Sequence, residues 1–132
     1  MQQHRLIEAF WLALFFTLCC VSSVGAFPPL PSSFYGTVQH YGENIPDGTL
    51  IEALIEGKVV AYTFSETYQG TSVFSLDVPG DDTSSDKVEG GSPGDVIEFR
   101  VGGAFANQTA RWTSGVNENL DLTLPAKNGM SP

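Results

Sequence analysis

The chain has 132 residues, with 15 Asp and Glu against 6 Lys and Arg, and a formal charge of −9. That balance argues against nucleic acid and anionic lipid as partners, because both are held by clustered Lys and Arg. A chain of this length supplies one apolar core but hardly two.

Residues 1–26 read as a helical signal peptide. Arg5 and the amino terminus bring positive charge, partly offset by Glu8, and an apolar run follows from Ala9 to Val21. Val24 and Ala26 then occupy the −3 and −1 positions of a cleavage site. The run is well short of the ~20 residues that span a bilayer, so no permanent membrane anchor is expected after cleavage. Cys19 and Cys20 both fall in this segment, so the remaining chain holds no disulfide framework and no thiolate chemistry. The expected location is outside the cell or on its surface.

Residues 27–33 (FPPLPSS) form a proline-rich lead, extended and partly mobile. Residues 34–41 (FYGTVQHY) read as the first strand, and the linker GENIPDG at 42–48 cannot continue it cleanly. Residues 49–55 and 58–65 flank Glu56-Gly57, a tight hairpin signal. A further strand runs over 71–78, after a loop with Tyr68, Gln69 and Gly70. The stretch VPGDDTSSDKVEGGSPGD, 78–95, then crosses to a clearly alternating segment, DVIEFRV, with Ile97, Phe99 and Val101 on one face. Gly102-Gly103 suits a two-residue turn, because glycine tolerates the positive φ that primed turns require. Residues 104–112 return, and 117–124 close the domain with Leu120, Leu122 and Leu124 inward. About seven short strands with Gly/Pro turns predict an all-β fold, a single antiparallel Greek-key β-sandwich over 34–124. Residues 125–132 read as a disordered tail.

The order G-T-V, I-P-D-G, TLIEALIEGKVVA, YQGTSVFSLDVPGDD, GDVIEFRVGG, ANQTARWTSG and NLDLTL resembles secreted β-sandwich modules of prokaryotic surface and extracellular proteins. More loosely it is similar to carboxypeptidase-regulatory-like and transthyretin-like domains. The resemblance spans about 33–124 and implies a non-catalytic accessory or structural module. Its motifs are turn glycines and core positions, which specify a fold better than a function.

The residues available for chemistry favour binding over catalysis. His40 is the single histidine after residue 26, and no G-x-S-x-G elbow is present, so no enzyme is expected. The acidic stretch offers Asp81, Asp82, Asp86, Glu89 and Asp95 as oxygen ligands for calcium, without the spacing of an EF-hand and with Lys87 inside the cluster. The competing reading is a solvated crossing between strands. Tyr35, Tyr62, Tyr68 and Trp112 are candidates for a sugar-stacking platform, Trp112 fitting the core better than the surface. Asn107-Gln108-Thr109 is an N-glycosylation sequon. The leading expectation is a structural or protein-interaction module. The alternative is a carbohydrate-binding module whose partner is an extracellular polysaccharide. A groove lined by two or more exposed rings favours sugar, and a bare apolar patch favours a protein partner.

Overall fold

The computed structural model describes residues 27–126, so the expected signal peptide and positions 127–132 of the expected tail lie outside the described residues. Among the described residues ten strands form two sheets. They are β1 (Ser32–His40), β2 (Glu43–Asn44), β3 (Leu50–Ile55), β4 (Lys58–Phe64), β5 (Glu66–Tyr68), β6 (Thr71–Val78), β7 (Val96–Val101), β8 (Ala104–Arg111), β9 (Asn117–Asn119) and β10 (Leu122–Leu124). Sheet I has the order β10-β1-β6-β5, with β2 and β9 also paired to β1; sheet II has the order β4-β3-β7-β8. The long β6–β7 crossing carries the chain between sheets and seats β7 against β3, which gives the non-sequential order of a Greek-key sandwich.

Period-two alternation builds the core. Phe34 and Val38 of β1, with Phe74, Leu76 and Val78 of β6, face Ile51, Ala53 and Ile55 of β3 and Ile97, Phe99 and Val101 of β7. Phe34 and Phe99 meet edge-on across the two sheets, ring centroids 5.4 Å apart, the arrangement that aromatic quadrupoles favour. Among the described residues four turns carry positive φ at both central positions: Tyr41-Gly42, Glu56-Gly57, Gln69-Gly70 and Gly102-Gly103. These have the sense of the two-residue turns that match strand twist, and the second and fourth are those the sequence predicts.

Three expectations are revised. The strand count rises from about seven to ten, because Glu43–Asn44 and Glu66–Tyr68 pair briefly and the last strand breaks into β9 and β10. Pairing is not wholly antiparallel: β9 and β10 both run parallel to β1. The break falls where Leu120 donates its N–H to the Tyr35 carbonyl at 2.8 Å and Asp121 Oδ1 accepts the Thr37 N–H at 2.9 Å. A Cβ on Gly36 would collide with the Leu120 carbonyl, so that crossing of chains requires glycine. Finally, Ser32 and Ser33 belong to β1 rather than to a mobile lead. Ser32 is fully buried, and Ser33 Oγ donates to Asp77 at 2.6 Å.

Buried serines also fix the 42–48 linker. Ser72 Oγ accepts the Ile45 N–H and donates to the Ile45 carbonyl, both at 3.0 Å. Ser65 Oγ accepts the Thr49 N–H at 3.1 Å and donates to the Pro46 carbonyl at 2.9 Å. These bonds satisfy a non-repetitive segment whose polar groups would otherwise be costly to bury.

Candidate functional site

The outer face of sheet II is built by strand register. Glu52 pairs with Tyr62 on one side and Arg100 on the other, and Arg100 pairs with Phe105. Cross-strand partners share a face, so one row runs Tyr62–Glu52–Arg100–Phe105 across all four strands. Leu50 and Phe64 form the next pair on this face, and Leu54 with Val59 a third. Six of the large exposed hydrophobic side chains stand here: Leu50, Val59, Tyr62, Phe64, Val96 and Phe105. Leu54 is buried yet belongs to no part of the core cluster; its pairing with Val59 and Glu98 places it on this outer face.

At the centre, Arg100 Nε donates to Glu52 Oε2 at 2.7 Å. That bond holds the Glu52 carboxyl below, and the Arg100 guanidinium above, their ordinary values. Arg100 also stands 6.0 Å from the Phe105 ring centroid, and Tyr62 meets Phe64 edge-on at 6.0 Å. This ion pair is thus framed by aromatic rings on both sides.

Sheet I presents a different outer face. Tyr35 and Tyr68 are exposed and both line a shallow depression of about 310 Å³, with Glu66, Asn119 and Asp121 among its other walls. A second depression of about 580 Å³, bordered by Leu30, Asp77 and Asn117, adjoins it through Tyr35 and Ser75. The two make a furrow in which two exposed rings stand beside acidic and amide side chains.

The four-ring platform expected from sequence therefore divides. Tyr35 and Tyr68 come together, and Tyr62 stands on the opposite sheet. Trp112 is 1% exposed and is corrected from platform to core. Its indole N–H donates to the Val78 carbonyl at 3.0 Å. Gly91 lies so close against the indole that a Cβ there would overlap the ring.

The acidic stretch is a pinched loop. Gly80 and Gly91 form an isolated bridge, with Asp81 N–H donating to the Gly91 carbonyl at 2.9 Å and Gly91 N–H to the Pro79 carbonyl at 2.8 Å. Residues 81–90 leave and return at one point, the geometry of an Ω-loop. Its carboxylates serve the loop's own backbone. Asp81 accepts the Glu89 N–H at 2.8 Å, Asp82 the Ser84 N–H at 2.9 Å, and Asp95 the Ser92 N–H at 2.9 Å. Hydrogen bonds from the Ser84 hydroxyl and N–H lower the Asp82 pKa. Asp86 and Glu89 are exposed. Among the described residues no three His, Cys, Asp or Glu side chains gather as a metal-holding group, so the five proposed calcium ligands are not brought together.

Asn107 is exposed on β8, and its Nδ2 donates to Thr123 Oγ1 at 2.9 Å. Gln108 accepts the Thr123 N–H at 2.8 Å and donates back to Thr123 Oγ1 at 2.9 Å. These side chains tie the β8 edge of sheet II to β10 of sheet I.

Sequence reasoning missed Leu50, Val59, Phe64 and Phe105. The available signal was KVVAYTF, apolar at both alternating sets of positions, which a strand with one wet polar face would not be. No protein-family model matches the chain, and no curated protein is significantly similar to it.

Proposed function

We propose that the chain is a non-catalytic extracellular module that engages a protein partner through the outer face of sheet II. The observation that carries this reading is the row Tyr62–Glu52–Arg100–Phe105 with its apolar neighbours. Exposed aromatic and aliphatic side chains around one neutralised ion pair match the composition of interface centres, where rings and Arg are enriched and unpaired charge is depleted. The signal-like leader and the resemblance to secreted accessory modules support an extracellular setting.

The test is capture of extracellular proteins on immobilised chain, comparing wild type with Y62S/F105S and with Y35S/Y68S. Loss of the same captured species in the first variant but not the second supports the reading. Equal capture by all three refutes it.

A second reading rests on the furrow of sheet I. Tyr35 and Tyr68, with Glu66, Asn119 and Asp121 beside them, suit a polysaccharide whose apolar sugar faces stack on rings while its hydroxyls meet amides and carboxylates. Retention on insoluble polysaccharides that disappears in Y35S/Y68S supports it, and uniform non-retention removes it. We also propose that Asn107 is a glycan acceptor. An intact mass equal to that of the bare polypeptide would remove this assignment.

A further inference from the structure

We propose that the partner on sheet II is a second copy of this chain, related by a two-fold axis running near the strand direction between β3 and β7. This rests on the protein-interaction reading above and names its partner. The reason is the order of the central row, which reads ring, acid, base, ring across four adjacent strands. A two-fold between the middle strands lays β3 over the partner's β7 and β4 over its β8. Glu52 of each copy then meets Arg100 of the other, and Tyr62 meets Phe105, so this central row is complementary to itself, as the middle of an isologous interface must be.

Long-range charge selects the same face. The strands of sheet I carry Glu43, Glu66, Asp77 and Glu118 and, among the described residues, no Lys or Arg. Those of sheet II carry Glu52 and Glu98 against Lys58, Arg100 and Arg111. Two copies of a chain with net charge −9 repel through most of their surface. Approach through sheet II holds the acidic sheets farthest apart. Face-to-face packing of two twisted sheets in the aligned mode is an ordinary solution.

The face measures roughly 20 Å by 20 Å from strand spacing and rise, at the small end of specific interfaces. A weak dimer follows, with a dissociation constant on the order of 10–100 µM.

The experiment uses protein expressed with its own leader, its amino terminus fixed by intact mass, and sedimentation up to about 1 mM chain, some ten-fold or more above that constant. Wild type should pass from monomer to dimer over this range, and Y62S/F105S should weaken the dimer at least about ten-fold with an unchanged melting temperature. The charge-swapped variant E52R/R100E retains the internal pair in reverse order and should dimerise with itself. Mixed with wild type, it sets acid against acid where the wild-type Glu52 lands and base against base where the wild-type Arg100 lands. Because the swap leaves composition and mass unchanged, the variant is isotope-labelled, and native mass spectra of the mixture should then show both homodimers and depleted heterodimer. Heterodimer at the statistical proportion would overturn the two-fold placement. Wild type that stays monomeric throughout, or dimer that survives Y62S/F105S unchanged, would overturn the second-copy assignment. In the monomeric case, protein capture that still depends on Tyr62 and Phe105 leaves the broader reading standing, and capture indifferent to them removes it too.

Discussion

The two sheets share one core and differ on their outer faces. Sheet I is polar and acidic, with Tyr35 and Tyr68 set along a furrow walled by Glu66, Asn119 and Asp121. Sheet II is apolar and charge-balanced, its charges centred on the 2.7 Å pair of Arg100 and Glu52. Stability does not require this difference, since either outer face would be tolerated in water as a polar surface. What the inner faces must do is set by burial, and what the outer faces do is free to follow function.

The largest expected effect tests the inner half of that statement. Phe99 is fully buried and meets Phe34 edge-on, so Phe99→Ala should cost about 3–5 kcal/mol. Phe105, beyond the hairpin turn and half exposed on the outer face, should change stability by no more than about 0.5 kcal/mol when made Ser. Denaturant unfolding of both variants checks the contrast. A Phe105→Ser cost comparable to that of Phe99→Ala would mean the outer ring is structural, and the functional reading of sheet II would lose its footing.

A second substitution asks whether the acidic loop belongs to either face. Gly91→Ala drives a methyl group into the Trp112 indole, with an expected cost of about 1–3 kcal/mol from overpacking. If the loop is a crossing and not a site, such a variant should melt earlier yet keep both the association of sheet II and any sugar retention by sheet I. Loss of either binding at temperatures where the variant is fully folded would tie the loop to function.

Much of this fold is legible because the chain writes alternation locally. Ile97, Phe99 and Val101 announce their inward face, and Glu56-Gly57 and Gly102-Gly103 announce their turns. Contacts that join distant segments leave no such mark. The parallel seating of β9 and β10 beside β1 depends on Gly36 meeting Leu120. The pinch at Gly80 and Gly91 depends on Trp112 lying beneath it. The candidate site is half legible for the same reason. Tyr35, Tyr62 and Tyr68 are exposed, as stacking rings must be, but which sheet each decorates is set by topology. The row on sheet II exists only once register places Tyr62 beside Glu52 and Phe105 beside Arg100.

The smallest effect concerns the ion pair at the centre of that row. The Arg100 hydrogen bond lowers the Glu52 pKa in the folded chain, so the folded state binds this proton less readily than the unfolded state. The resulting stabilisation is present above the unfolded carboxylate value of about 4.3 and is lost as pH falls through the lowered folded value. Side chains 30% and 16% exposed for Arg100 and Glu52 leave water and salt to screen the pair, so its share of stability is small. Melting curves of wild type and Glu52→Gln from pH 7 to about pH 3 isolate it. The wild type should lose slightly more stability than the variant below about pH 4.3, and added salt should narrow the gap. Identical acid profiles would show that the Glu52 charge contributes nothing to folding, leaving the ion pair's place on the outer face to be explained by what binds there.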